Sequence, residues 1–166
     1  LKQGTISVLF GCHSIIHSYY VVKAWRKIYG RFPKFYELCC ILLHDIGHWG
    51  LDYLDHPDQK KTHWVLGARI AGYYFGPQGY SLCAGHCSSS PGSNSGLRLP
   101  DKVSWTLAPT IWLWWNALVE PKLKRPGMTA WQSAKAWKET VKQWLFDNPD
   151  LPSLHTVYLQ QKQTKQ

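Results

Sequence analysis

Apolar residues recur along this chain at helical rather than strand spacing. Between residues 14 and 29 they fall at Ile15, Tyr19, Val22, Ala24, Trp25 and Ile28, which is the stripe of an amphipathic helix. Pro33 is expected to open a second helix in its first turn, and the run PKFYELCCILLHDIGHW stays apolar through residues 38–43. Its length and the start signal before it favour a helix over a buried strand. The segment Asp55-His56-Pro57-Asp58 reads as a turn, with Asp58 capping a helix that carries Trp64, Val65, Ala68, Ile70 and Ala71. Gly76-Pro77-Gln78-Gly79 should break that helix, and a short one should follow over residues 80–87. Residues 88–96 are a serine- and glycine-rich loop by composition. Pro100 is expected to start the next helix and Pro109 to kink or divide it. Residues 122–127 form a basic, proline-containing connection. Thr129 looks like the N-cap of a last helix, with Ala134, Trp137, Val141 and Trp144 on one face, ending at Asn148-Pro149. No segment alternates as a strand would. The expected fold is all-α, a single helical domain of about six to eight helices over residues 1–150, with 151–166 a partly flexible C-terminal tail.

Composition supports one domain with a real core, since the chain has 166 residues of which 45% are hydrophobic. The 17% charged and 14% aromatic fractions argue against disorder. Ten tryptophans are a heavy load, and a side chain that keeps an N–H for a partner can line a pocket as well as fill a core. The formal net charge of +9 favours anionic partners: phosphorylated metabolites, nucleic acid or acidic lipid. The basic residues are scattered rather than packed into one run, which weighs against nucleic acid. Five cysteines, with Cys39 and Cys40 adjacent in an apolar run, do not make a secreted disulfide framework and point to a reducing compartment. No signal peptide pattern is visible, so a cytoplasmic location is expected. The most apolar stretch, residues 105–119, holds Pro109 and Asn116 and is too short to span a bilayer.

The candidate chemistry sits where polar residues interrupt apolar helices. His44-Asp45 directly follows Ile41-Leu42-Leu43, and burying a carboxylate without compensation costs several kcal/mol. A divalent cation offsets that cost by taking imidazole nitrogen and carboxylate oxygen together. His17 lies one helix and one turn upstream, and Asp101-Lys102 opens a helix downstream. His13, four residues before His17, shares its helix face and reads as packing or outer support. Cys83-Ala84-Gly85-His86-Cys87 lacks a second Cys/His pair of matching spacing, which disfavours structural zinc.

Five segments in this order, HSYYV (17–21), LLHDIGH (42–48), THWVLGA (62–68), AGHC (84–87) and PDKVS (100–104), resemble the HD-domain superfamily of metal-dependent phosphohydrolases. The resemblance spans about half the chain. It implies that His17, His44, Asp45 and Asp101 ligate a divalent transition metal such as Mn, Fe, Co, Ni or Zn. It further implies that His63 and His86 either complete a second site, with Asp45 as the bridge, or support a single ion and contact phosphate. His48, one turn past Asp45, stands where some nucleotidase members carry Glu; it is a candidate to donate to phosphate or protonate a leaving group. Asp52 is the alternative proton carrier. Lys102 and Arg69 are candidate phosphate contacts. The implied activity is hydrolysis of a phosphomonoester or phosphodiester, with a nucleotide the leading substrate class, by metal-activated water. Two alternatives stay open: an HD-type di-iron oxygenase acting on a small organophosphonate or polyol, and a non-catalytic binder of nucleotide or nucleic acid. Many small HD proteins assemble, so a homo-oligomer is also in view.

Overall fold

A computed structural model of the chain describes residues 1–52, 57–90 and 94–148. Among these residues every element is helical, as expected. The chain runs through α1 (Gln3–Phe10), α2 (Ile15–Tyr29), α3 (Phe35–Leu43), a 3₁₀ turn (Ile46–His48), α4 (Pro57–Thr62), α5 (Trp64–Ala84), α6 (Arg98–Leu107), α7 (Thr110–Val119), a second 3₁₀ turn (Pro121–Leu123) and α8 (Ala130–Asp147). The expected C-terminal tail, residues 151–166, the turn residues Asp55 and His56, and Pro149 lie outside the described residues, as do residues 91–93 of the serine-rich loop.

Local signals account for most of the boundaries. Gly30 adopts the left-handed conformation (φ 65°) that ends α2, and its N–H reaches the Arg26 carbonyl. Thr129 caps α8 as expected: its hydroxyl accepts from the Gln132 N–H at 3.2 Å while Gln132 accepts from the Thr129 N–H at 2.8 Å. Gly76, at φ 67° and ψ −160°, breaks α5 where the Gly-Pro signal placed the break. Pro109, extended, separates α6 from α7.

Other expectations shift. Pro33 stands outside α3, which begins at Phe35 with Lys34 extended before it, and Glu37 accepts the Lys34 N–H at 2.6 Å. The helix does not continue through His44-Asp45; it ends at Leu43, and the chain turns so that both side chains face inward. Asp58 lies in the first turn of α4, a separate helix from α5, and the two part at His63. Helix α6 begins two residues before Pro100, which falls in the first turn where a missing N–H costs nothing. Helix α1 had no sequence signal.

The buried residues form four contacting clusters. Ala24 and Ile28 of α2 pack on Leu99 and Val103 of α6. Cys40 of α3 meets Ala68, Ala71 and Cys83 of α5. Val21 and Trp25 of α2 meet Ile41 of α3 and Leu97. Ala108, Trp112 and Leu113 meet Ala134 of α8. No single helix among the described residues is long and apolar enough to cross a membrane; α1 and α2 pass that test only as a pair bent by 54°.

Small residues bring α5 close to the end of α3. A Cβ at Gly67 would lie 2.2 Å from the Leu43 carbonyl oxygen, one residue before His44. A Gly67→Ala variant is therefore expected to lose about 1–3 kcal/mol, as overpacked sites do. Urea denaturation checks this, and an unchanged midpoint would refute the close approach.

Candidate metal centre

Six places along the chain converge on one buried point. Helix α2 supplies His17 from its first turn, and the chain leaving α3 supplies His44 and Asp45. The 3₁₀ turn supplies His48, the joint between α4 and α5 supplies His63, the turn after α5 supplies His86, and the first turn of α6 supplies Asp101. Asp45 has φ −103° and ψ 3°, in the sparsely populated bridge region where turn and active-site residues sit. Gly47 keeps this turn against α5, since a Cβ there would meet the His63 carbonyl.

The two oxygens of Asp45 face different histidines. Oδ2 lies 3.1 Å from His44 Nε2, 3.5 Å from His17 Nε2 and 3.9 Å from His13 Nε2. Oδ1 lies 3.5 Å from His86 Nε2 and 3.8 Å from His63 Nε2. Asp101 closes the first group, with Oδ1 at 3.0 Å from His17 Nε2 and 3.6 Å from His44 Nε2. Ligand atoms of His17, His44, Asp45 and Asp101 all lie within 4.8 Å of one another, as do those of Asp45, His63 and His86, and those of His13, Asp45 and His48.

Backbone carbonyls decide the tautomers, because a carbonyl only accepts. His44 Nδ1 donates to the Ile41 carbonyl at 2.7 Å, and His86 Nδ1 donates to the Cys83 carbonyl. Ser104 gives its one proton to the Asp101 carbonyl at 2.6 Å, so the His17 Nδ1 at 3.5 Å is the donor toward it. In all three rings Nε2 is then the nitrogen a metal could use, facing carboxylate oxygens or another ring. His63 Nε2 and His86 Nε2 are 3.1 Å apart, and the buried His44 Nε2 faces both Asp45 Oδ2 and Asp101 Oδ1. Lone pairs and carboxylates that crowd together require protons or a cation among them, and imidazole with carboxylate is a donor set divalent transition metals accept. The residues fit a metal ion.

Electrostatics agree. Burial alone would lower His44, but Asp45 and Asp101 outweigh it and push its pKa up to about 10. Burial would raise the Asp45 carboxyl, yet His44 and His13 hold it well below the usual carboxylate range. Asp101 is likewise held low against burial, by Lys102 and His17. Burial and the neighbouring His48 keep His13 well below the ordinary histidine value.

No known protein family, curated protein or solved structure matches this chain. What stands is a buried histidine–aspartate cluster compatible with a metal site.

The cluster opens into a cavity of about 540 Å³, lined by His13, Asp45, His48, His63, His86 and Asp101 among others. Lys102 also lines it, its Nζ 2.8 Å from Asp101 Oδ2. His48 stacks between His13 (ring centroids 3.9 Å apart) and His63 (4.6 Å). Two expected site residues are not brought in. Asp52 is exposed and 3.6 Å from Lys2, outside the cavity, because the chain turns outward after the 3₁₀ turn. Arg69 is exposed on α5 and does not line the cavity; its neighbour Ala68 faces the core instead. Arg98 and Trp105 do line it, and sequence reading missed them as a set. The signal was available: residues 98, 101, 102 and 105 share one face of α6. Trp105 stacks on His17 at 4.7 Å, so the apolar wall begins at the cluster itself.

His44 is raised above its ordinary 6.5, so its pairing stabilises the metal-free protein fully below that value and loses effect as pH rises through about 10. A metal needs the neutral ring. Titrating a divalent metal at neutral pH in buffers of different ionisation enthalpy should therefore show release of about one proton per ion at this position. Binding without proton release would contradict the assignment.

Proposed function

We propose that the chain is a metal-dependent phosphohydrolase of the HD type, cleaving a phosphomonoester or phosphodiester of a nucleotide. The observation that carries this reading is Asp45: each of its oxygens faces its own histidine group on the floor of a cavity that also holds cationic and aromatic side chains. In this reading His17, His44, Asp45 and Asp101 would hold one ion of Mn, Fe, Co, Ni or Zn, and Asp45, His63 and His86 would hold a second. Bound there, such ions supply Lewis acidity, lowering the pKa of water and polarising the phosphoryl group.

The chain's own residues do the rest. Lys102, kept cationic because Asp101 outweighs its burial, draws the phosphate to the cluster. Arg98 and Lys61 add positive charge to the cavity. His48, stacked between His13 and His63, is the group positioned to donate to a phosphate oxygen or to the leaving group. Trp137, perpendicular to Trp105 at 6.0 Å and lining the cavity, offers a flat apolar face to a base.

Phosphate release from nucleoside monophosphates, deoxynucleoside triphosphates and cyclic nucleotides, assayed with each metal in turn, tests the reading. A His44→Ala/Asp45→Ala double variant should lose all metal-stimulated release, and unchanged activity would end the proposal. Trp137→Ala should raise KM about ten-fold, within the ~1–3 kcal/mol that a base–aromatic stack contributes. An unaltered KM would remove the base from that wall.

The histidine-rich second group also supports a different chemistry, oxygen-dependent cleavage of a small organophosphonate or polyol at two irons. Oxygen uptake with a di-iron Mössbauer signal would favour it, whereas anaerobic phosphate release with Mn²⁺ favours hydrolysis.

A further inference from the structure

His13 stands at the edge of the cluster, and its surroundings reach deep into the protein. Glu120, wholly buried after α7, accepts the Cys12 N–H at 2.6 Å and the Ser7 hydroxyl at 3.0 Å on Oε1, and the Cys12 thiol at 3.4 Å on Oε2. Ser7, also wholly buried, comes from α1, and its oxygen lies 2.7 Å from His13 Nδ1. A serine hydroxyl has one proton to give. The carboxylate takes it, so toward His13 the Ser7 oxygen can only accept. The proton of the His13 ring is therefore on Nδ1, and Nε2 carries the lone pair.

That lone pair lies 3.9 Å from Asp45 Oδ2, the oxygen that His44 and His17 also approach. The separation is too long for a hydrogen bond. Nitrogen and oxygen donors each about 2.1 Å from one ion stand roughly 3–4 Å apart, so the pair suits a shared cation. His17, His44 and His86 reach the same tautomer through a carbonyl or a serine; His13 reaches it through a serine backed by a carboxylate. A partner that fixes the remote nitrogen is how metal-binding histidines are oriented.

We propose that His13 is a further metal donor beside Asp45 Oδ2, and that Glu120, acting through Ser7, is its positioning residue. The inference rests on the metal reading of the cluster but extends it to three residues outside the HD-like segments. It also gives α1 a role, since α1 carries the serine that links the two.

The test uses the full chain stripped of metal and titrated with Mn²⁺ by calorimetry, then loaded with Co²⁺ for its visible spectrum. His13→Ala should weaken Mn²⁺ binding by about 10–100-fold or more, since loss of a ligand's outer partner alone reaches that range, and should shift the Co²⁺ bands. Ser7→Ala and Glu120→Gln should move both readouts in the same direction by less. Thermal melts of the stripped proteins identify any variant that fails to fold, and Ser7→Ala, which removes one oxygen, is the mildest of the three. Mn²⁺ affinity and Co²⁺ bands identical to wild type in folded His13→Ala overturn this inference alone. A wild-type chain that binds neither ion overturns it together with the metal reading.

Discussion

A carboxylate buried among five imidazoles governs this structure. Asp45 has two oxygens and lies in the interior, where an uncompensated charge is too costly to keep. Everything placed near it answers that cost. Helix α3 ends one turn early so that the carboxylate points inward, Gly47 and Gly67 let α5 approach to bring His63, and α6 delivers a second carboxylate with a lysine beside it. Positive charge has to be supplied at this point, by protons on the rings or by a cation, and the ring orientations leave the Nε2 atoms turned toward it.

The site is a convergence of helix ends rather than a single motif. Terminal turns suit the task because their backbone groups are not committed to helical bonds. The Ile41 and Cys83 carbonyls, each three residues before a histidine, orient that ring instead. The same economy explains the short polar chain through Ser7 and Glu120. A buried glutamate is tolerated because it collects donors from α1 and from the turn that follows it. The cavity then combines two surfaces: charge around Asp101, Lys102 and Arg98, and tryptophan rings starting at Trp105 against His17.

How much of this was legible beforehand depended on whether the signal was local. The apolar period of α2, the glycine–proline break at residues 76–77, the Pro109 division and the Thr129 capping box are contained within a turn or two, and each appears where its chemistry put it. The histidine–aspartate set was legible because burying such residues in apolar helices demands a reason. Asp52 and Arg69 were misplaced because spacing along a helix says nothing about which side turns to the cavity once the helix ends or rotates.

By itself, then, the amino-acid sequence determined an all-helical chain and the polar residues that its core has to accommodate. Periodicity and capping are properties of neighbours in sequence. Tertiary structure alone decided that Asp45 would present one oxygen to each histidine group and that α1 would lie close enough for Ser7 to reach His13. It also brought Glu120 beneath both. The Glu120 contacts join residues more than a hundred positions apart, and packing, not sequence spacing, sets the distances between them.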